Sequence, residues 1–172
     1  MIISYLKYPR KAKTYTDGEK YQILGKKYYL NIYFQDINNA KLKVENGMIN
    51  IILPLNYAER NNTELIKKMI EKMYNMIAKK EVDITMKKLT KVVGLTPEGY
   101  RVRKVKSEWG SCSSNRMITI NQDLIMYSRH ALEYVIIHEL CHLKHMNHSK
   151  KFWDMVGKFM PDYKEAEKEL KK

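Results

Sequence analysis

Between Ser128 and His145 the chain carries a helical pattern that is apolar on nearly every side and yet holds two glutamates and several histidines. Leu132, Ile136, Leu140 and Leu143 line one face, and Val135 and Ile137 widen it until little polar surface is left. A helix of this kind is stable only inside a core, so the rest of the chain must wrap around it. Ser128 is placed to cap its first turn. All five histidines, His130, His138, His142, His145 and His148, fall within one 19-residue window that begins in this segment. His138-Glu139-Leu140-Cys141-His142 is an HExxH pattern, and on a helix its two imidazoles lie one turn apart, about 40° apart in projection. Burying two imidazoles and a carboxylate is costly unless something satisfies them, and a metal ion with its water does so.

A hydrolytic zinc site takes three protein ligands and keeps one position open. His145 shares the helix face but lies about 10.5 Å along the axis from His138, too far for both to bind one ion. His148 is the better third ligand. The chain is expected to leave the helix near His145-Met146-Asn147 and fold back, with Asn147 able to take a left-handed turn and Ser149 capping the next helix. Glu139, about 100° from His138 in projection, stands beside the ligands and is placed to act as general base on a metal-activated water. The expected chemistry is hydrolysis of an amide-like bond, with His145, His130, Tyr127 and Tyr134 all open as oxyanion donors. In a chain of this composition a bare HExxH arises by chance in roughly one sequence in a hundred; His148 at a workable spacing lowers that more than tenfold. Cys141 reads as a small packing residue.

Around this helix the pattern is mixed. Residues 14–54 carry strand signals, with Asp17-Gly18, Gly25 and Asn46-Gly47 as turns, and read as an antiparallel meander. Leu65, Ile66, Met69, Ile70, Met73 and Ile77 then recur at helical spacing for about five turns, with Asn62 or Thr63 as cap; a further short helix ends at Gly94. Residues 100–107 and 116–121 read as a hairpin around a Gly/Ser/Asn-rich connection. Two more helices follow, one from Ser149 carrying Phe152, Val156 and Phe159 on one face, and one opened by Pro161. The order of strands, helix, hairpin and helices places the chain in the α+β class as a single domain over 1–172, with a β-rich part at 1–54 and the chemistry in 62–172.

The 172 residues hold 32 Lys and Arg against 19 Asp and Glu, a net charge of +13. That excess is spread over several segments, as on solvated faces, but Arg101, Arg103, Lys104 and Lys106, with Lys144, Lys150 and Lys151, adjoin the expected cleft and suit contact with a nucleotide or DNA. No apolar run is long enough to span a membrane, and the first residues lack a signal-peptide pattern. With two cysteines, Cys112 and Cys141, reduced thiols and a cytoplasmic setting are expected, and the sequence is silent on oligomeric state.

Two blocks resemble the YgjP-like metallopeptidase domain family: Lys106-Ser107-Glu108-Trp109-Gly110-Ser111-Cys112-Ser113, and Tyr134 through His142 leading to Asn147-His148-Ser149 and Phe152-Trp153. The second block is also similar to that of the WLM and SprT-like zinc proteases, whose relatives cleave proteins crosslinked to DNA. The resemblance implies a zincin-like fold, Zn2+ held by His138, His142 and His148, and Glu139 as the catalytic base. It implies a peptide or protein substrate first, and, since one bacterial relative is described as a UTP pyrophosphatase, a nucleoside triphosphate second. Glu108 departs from the basic residue expected before Trp109. For the WGSC segment itself, the residues favour Trp109 closing a core and Gly110 permitting a tight turn, over the preceding strand forming a cleft rim where a peptide pairs.

Overall fold

The computed structural model describes residues 2–4 and 12–171, so residues 5–11, on which much of the reading of the amino terminus rests, lie outside it. Strands β1 (Ile2–Ser4), β2 (Lys20–Ile23), β3 (Lys26–Gln35), β4 (Lys41–Glu45) and β5 (Met48–Pro54) precede helix α1 (Thr63–Val93). Then come β6 (Gly99–Arg103), β7 (Glu108–Cys112) and β8 (Met117–Asn121), followed by α2 (Arg129–His142), α3 (Lys150–Phe159) and α4 (Tyr163–Leu170). The class is α+β, as the pattern of elements implies.

The strands form two four-stranded sheets, ordered β2-β3-β5-β4 and β1-β7-β8-β6. The first is not a meander. The hairpin at Asn46-Gly47 forms, but β5 is inserted between β3 and β4 and runs parallel to β3 from Tyr29↔Met48 to Gln35↔Pro54. Composition explains the choice. Strand β5 buries Ile49, Ile51 and Leu53 completely and takes the interior, whereas the charged β4 is left at the edge, where charge discourages further pairing. The second sheet repeats the arrangement. Apolar β8 sits centrally, antiparallel to β7 and parallel to β6. The hairpin expected between 100–107 and 116–121 is therefore made by the Trp109-Gly110-Ser111-Cys112 strand instead, and β6, with Arg101 and Arg103, lies at the far edge.

Helix α1 runs 31 residues without a break, about 46 Å at 1.5 Å per residue, where two pieces were expected. Val82, Met86 and Leu89 continue its buried stripe, and Gly94 ends it in the left-handed conformation (φ 74°). Its first half packs Ile66, Ile70, Met73 and Tyr74 against Leu30, Ile49, Ile51 and Leu53 of the first sheet. Its second half joins Ile118 and Ile120 of β8, Leu132 and Ile136 of α2, and Phe152 in a second core. One helix thus spans both cores, and α2 lies within the second, flanked by α1, α3, α4, β7 and β8. Among the described residues no helix is long and apolar enough to cross a membrane.

Candidate metal centre

Helix α2 starts where Ser128 places its hydroxyl to accept the Ala131 N–H (3.1 Å). The same Ser128 donates its N–H and its hydroxyl to the two carboxylate oxygens of Glu169 on α4, at 2.7 and 2.6 Å. From Tyr134 to His142 every residue is buried. The helix stops at His142, three residues before His145, and residues 143–149 carry the chain around to α3. Asn147 is not left-handed: among the described non-glycine residues only Tyr15, Leu24, Asn46 and Arg116 have positive φ. Ending the helix one turn early makes such a bend unnecessary.

This turn brings His148 over the helix. The Nε2 atoms of His138, His142 and His148 converge, 3.1 Å from His142 to His138, 3.1 Å from His142 to His148 and 2.8 Å from His148 to His138. Tetrahedral zinc with bonds of about 2.0–2.1 Å sets its ligand nitrogens about 3.3 Å apart, close to what is found. Protons cannot satisfy such a triangle, because each Nε2 offers one hydrogen or one lone pair. A cation at the point of convergence satisfies all three. The imidazoles are also held neutral, the form that binds metals. Burial is the leading cause: it pushes His138 down to about 2 and His142 down to about 4, with the neighbouring imidazoles adding to it, and lowers His148 as well. His142 Nδ1 lies 3.0 Å from the His145 carbonyl, which can only accept; the ring therefore carries its hydrogen on Nδ1 and turns the Nε2 lone pair inward. His145 serves through its backbone, not as a ligand. The ring of Phe152 fills the space behind, stacked on His142 (4.5 Å, 26°) and edge-on to His138 (4.7 Å) and His148 (4.8 Å).

Glu139 is wholly buried, and among the described residues neither carboxylate oxygen has a hydrogen-bond partner. Burial raises its pKa well above the usual carboxylate range. The group beside it is Gly110 of β7: a Cβ there would stand 2.8 Å from Glu139 Oε1 and 2.9 Å from Glu139 Cγ and Val135 Cγ1. Gly110 is in mid-strand, not in a turn, and its missing side chain is the space the carboxyl occupies. An isolated glycine inside a strand signals such a close approach, so this role was available from the sequence. Arg116, at the β7–β8 turn, donates to the Thr96 carbonyl (2.9 Å) and reaches the Leu143 carbonyl (3.5 Å) at the end of α2, fastening the hairpin to the ligand-bearing helix. No spacing rule points to it.

The other candidates separate. His130 lies near the start of α2, with its Nε2 3.3 Å from an Asp162 carboxylate oxygen. Tyr127 stands edge-on to buried Trp109 (4.8 Å), and Tyr134 edge-on to His138 (5.9 Å). Trp109 does close the core. Both cysteines are free and buried, and burial pushes the Cys141 thiol up to about 12, which keeps it protonated. Of the basic residues, Lys104 is paired with Glu71 (3.0 Å), Arg101 and Arg103 lie on the edge strand separated from β7 by β8, Lys106 is exposed in the connection between β6 and β7, and Lys144, Lys150 and Lys151 are exposed in and after the connection that carries His148.

Three converging neutral imidazoles, with a buried glutamate that adjoins one of them and has no hydrogen-bond partner among the described residues, make a site suited to a divalent cation. No curated protein matches. Among solved structures, the crystal structure of the metallopeptidase zymogen of Pyrococcus abyssi abylysin is 28% identical, covering 51% of this chain and 89% of that one, at a TM-score of 0.47. The family model for the YgjP-like metallopeptidase domain matches residues 4–172, nearly the full length, and the chain belongs to that family.

Proposed function

We propose that this protein is a zinc-dependent peptidase in which His138, His142 and His148 hold the ion and Glu139 is the general base. The observation that carries the reading is the convergence of three Nε2 atoms within 3.1 Å of one another, with the adjoining Glu139 carboxylate buried and without a hydrogen-bond partner among the described residues. Membership of a metallopeptidase family supports it. Bound zinc supplies Lewis acidity, acidifying a water and polarising a peptide carbonyl.

The chain supplies the rest. Burial and the His145 carbonyl fix His142 in the tautomer that faces the centre. Burial raises the Glu139 pKa well above the usual carboxylate range, and a divalent cation held by the triad would oppose that shift and favour the carboxylate that accepts a proton. Glu139 then takes the proton of the attacking water and delivers it to the departing amine nitrogen. Gly110 sets how closely β7 approaches that carboxyl.

A peptide or unfolded protein is the expected substrate. The test is Glu139→Gln, which is near in size and cannot take the proton. The variant is expected to bind zinc as the parent does and to lose peptide hydrolysis by about 10²–10⁴-fold. Equal rates at equal zinc content would overturn the assignment of the base. Release of pyrophosphate from UTP by the parent, lost in the variant, with no peptide cleaved, would move the substrate to nucleotides.

A further inference from the structure

His148 differs from the other two histidines of the centre. His138 and His142 stand on α2, whose backbone fixes them, whereas His148 sits in the 143–149 connection, outside either helix and between exposed Asn147 and Ser149. Something other than local backbone must aim its imidazole. Among the described residues that ring meets the other two histidines, Phe152 and Trp153. The Trp153 contact is a stack, at 5.4 Å and 25°. Trp153 is in turn backed by Tyr163, at 5.3 Å and 18°, and Tyr163 by Tyr134, at 6.2 Å and 17°. Tyr134 comes back edge-on to His138 (5.9 Å), which closes a loop of rings from the loop-borne histidine to a helix-borne one.

We infer that Trp153 and Tyr163 are positioning residues for the metal: a stacked pair, anchored by the first residue of α4, that holds His148 at the bonding point. The inference rests on the metal-centre reading. Three features single out this pair among the many aromatic contacts of the core. Trp153 lies flat on the imidazole, and so restricts its tilt as well as its place. It also touches His138 (5.7 Å), so it senses the spacing of two ligands at once. Trp153 and Tyr163 are only half-buried, unlike Phe152, so the protein need not unfold when either is cut back. Hydrogen-bonded partners of ligand histidines typically change metal affinity 10–100-fold when removed. Here the partner of the third ligand is an aromatic face.

The test measures zinc affinity by chelator competition, and the visible absorption of the Co2+-substituted protein, for the parent, Trp153→Ala, Trp153→Phe, Tyr163→Ala and Phe159→Ala. Phe159 is on the same helix, packs on the same core and is absent from the ring loop, so it reports mere loosening of α3. Trp153→Ala is expected to bind zinc 10–100-fold more weakly and to show a changed Co2+ spectrum, Tyr163→Ala to show a smaller effect of the same kind, and Trp153→Phe to recover most of both. Phe159→Ala is expected to match the parent in both. Parent-like affinity and spectrum in Trp153→Ala, or an equal loss in Phe159→Ala, would overturn the inference and leave the metal centre standing. A parent that takes up no zinc would overturn both.

Discussion

Gly110 is the residue on which the base depends most directly. In a strand, glycine is ordinarily a liability that alanine relieves. Here the sign reverses, because one added carbon meets Glu139 and Val135 at 2.8–2.9 Å inside a packed core. Gly110→Ala is expected to cost about 1–3 kcal/mol in a urea titration and to lower peptide hydrolysis at least tenfold at full zinc loading. His142 gives a pH signature in the zinc-free protein. Its folded pKa is depressed from 6.5 to about 4, so its neutral burial contributes stability above pH 6.5 that is lost as pH falls toward 4. The loss is roughly 3 kcal/mol. His142→Asn, followed by urea midpoints at pH 7 and pH 4, is expected to show a smaller decline than the parent; an equal decline would contradict the cause given. The convergence of the three histidines was legible in the sequence because an HExxH pattern on a helix, followed by His148 after a turn, imposes a spacing that a shared ion would require. Phe152 behind the histidines was not, since nothing in its helical period tells an imidazole contact from an aliphatic one.

At the scale of elements, the start of α2 is tied down twice, by its own Ser128 hydroxyl and by Glu169 from α4. Ser128→Ala removes the cap and one bond to the carboxylate, and is expected to cost about 1–2 kcal/mol. Glu169→Gln should cost less, and the two together less than their sum, because they share one network; additive losses in a double-mutant cycle would contradict the coupling. Most strands and helices, and the tight turns at Gly25 and Asn46-Gly47, followed from period and turn chemistry, but the Glu108–Cys112 strand did not, because its Gly and Ser residues read as a connection. Which strand lies beside which did not follow either. Alternation reveals the face a residue occupies but not the neighbour it pairs with, and both tight hairpins are compatible with a meander. The clue lay in charge: β4, with Lys41, Lys43 and Glu45, and β6, with Arg101 and Arg103, suit sheet edges, and apolar β5 and β8 suit the interior. Helix α1 read as two pieces for a related reason. Its buried stripe passes from one core to the other midway, so no single apolar face runs its length.

For the molecule as a whole, the +13 charge does less than its size suggests. The structure divides the seven basic residues expected near the cleft into an ion-paired Lys104, Arg101 and Arg103 on an edge strand, and four exposed lysines, Lys106 before β7 and Lys144, Lys150 and Lys151 around the His148 connection. The centre itself stabilises the fold when filled, because only the folded chain brings α2 and the 143–149 connection together. Zinc at a thousandfold excess over its dissociation constant is expected to add about 4 kcal/mol to unfolding, and a chelator to remove it. X-ray absorption at the zinc edge reads the centre most directly. Three imidazoles leave a first shell of nitrogen and oxygen alone at about 2.0–2.1 Å, with the outer-ring scattering of three histidines, and replacing His148 by alanine should reduce that scattering by a third. A sulfur shell near 2.3 Å, drawing on Cys112 or Cys141, or scattering unchanged without His148, would contradict a three-histidine hydrolytic site.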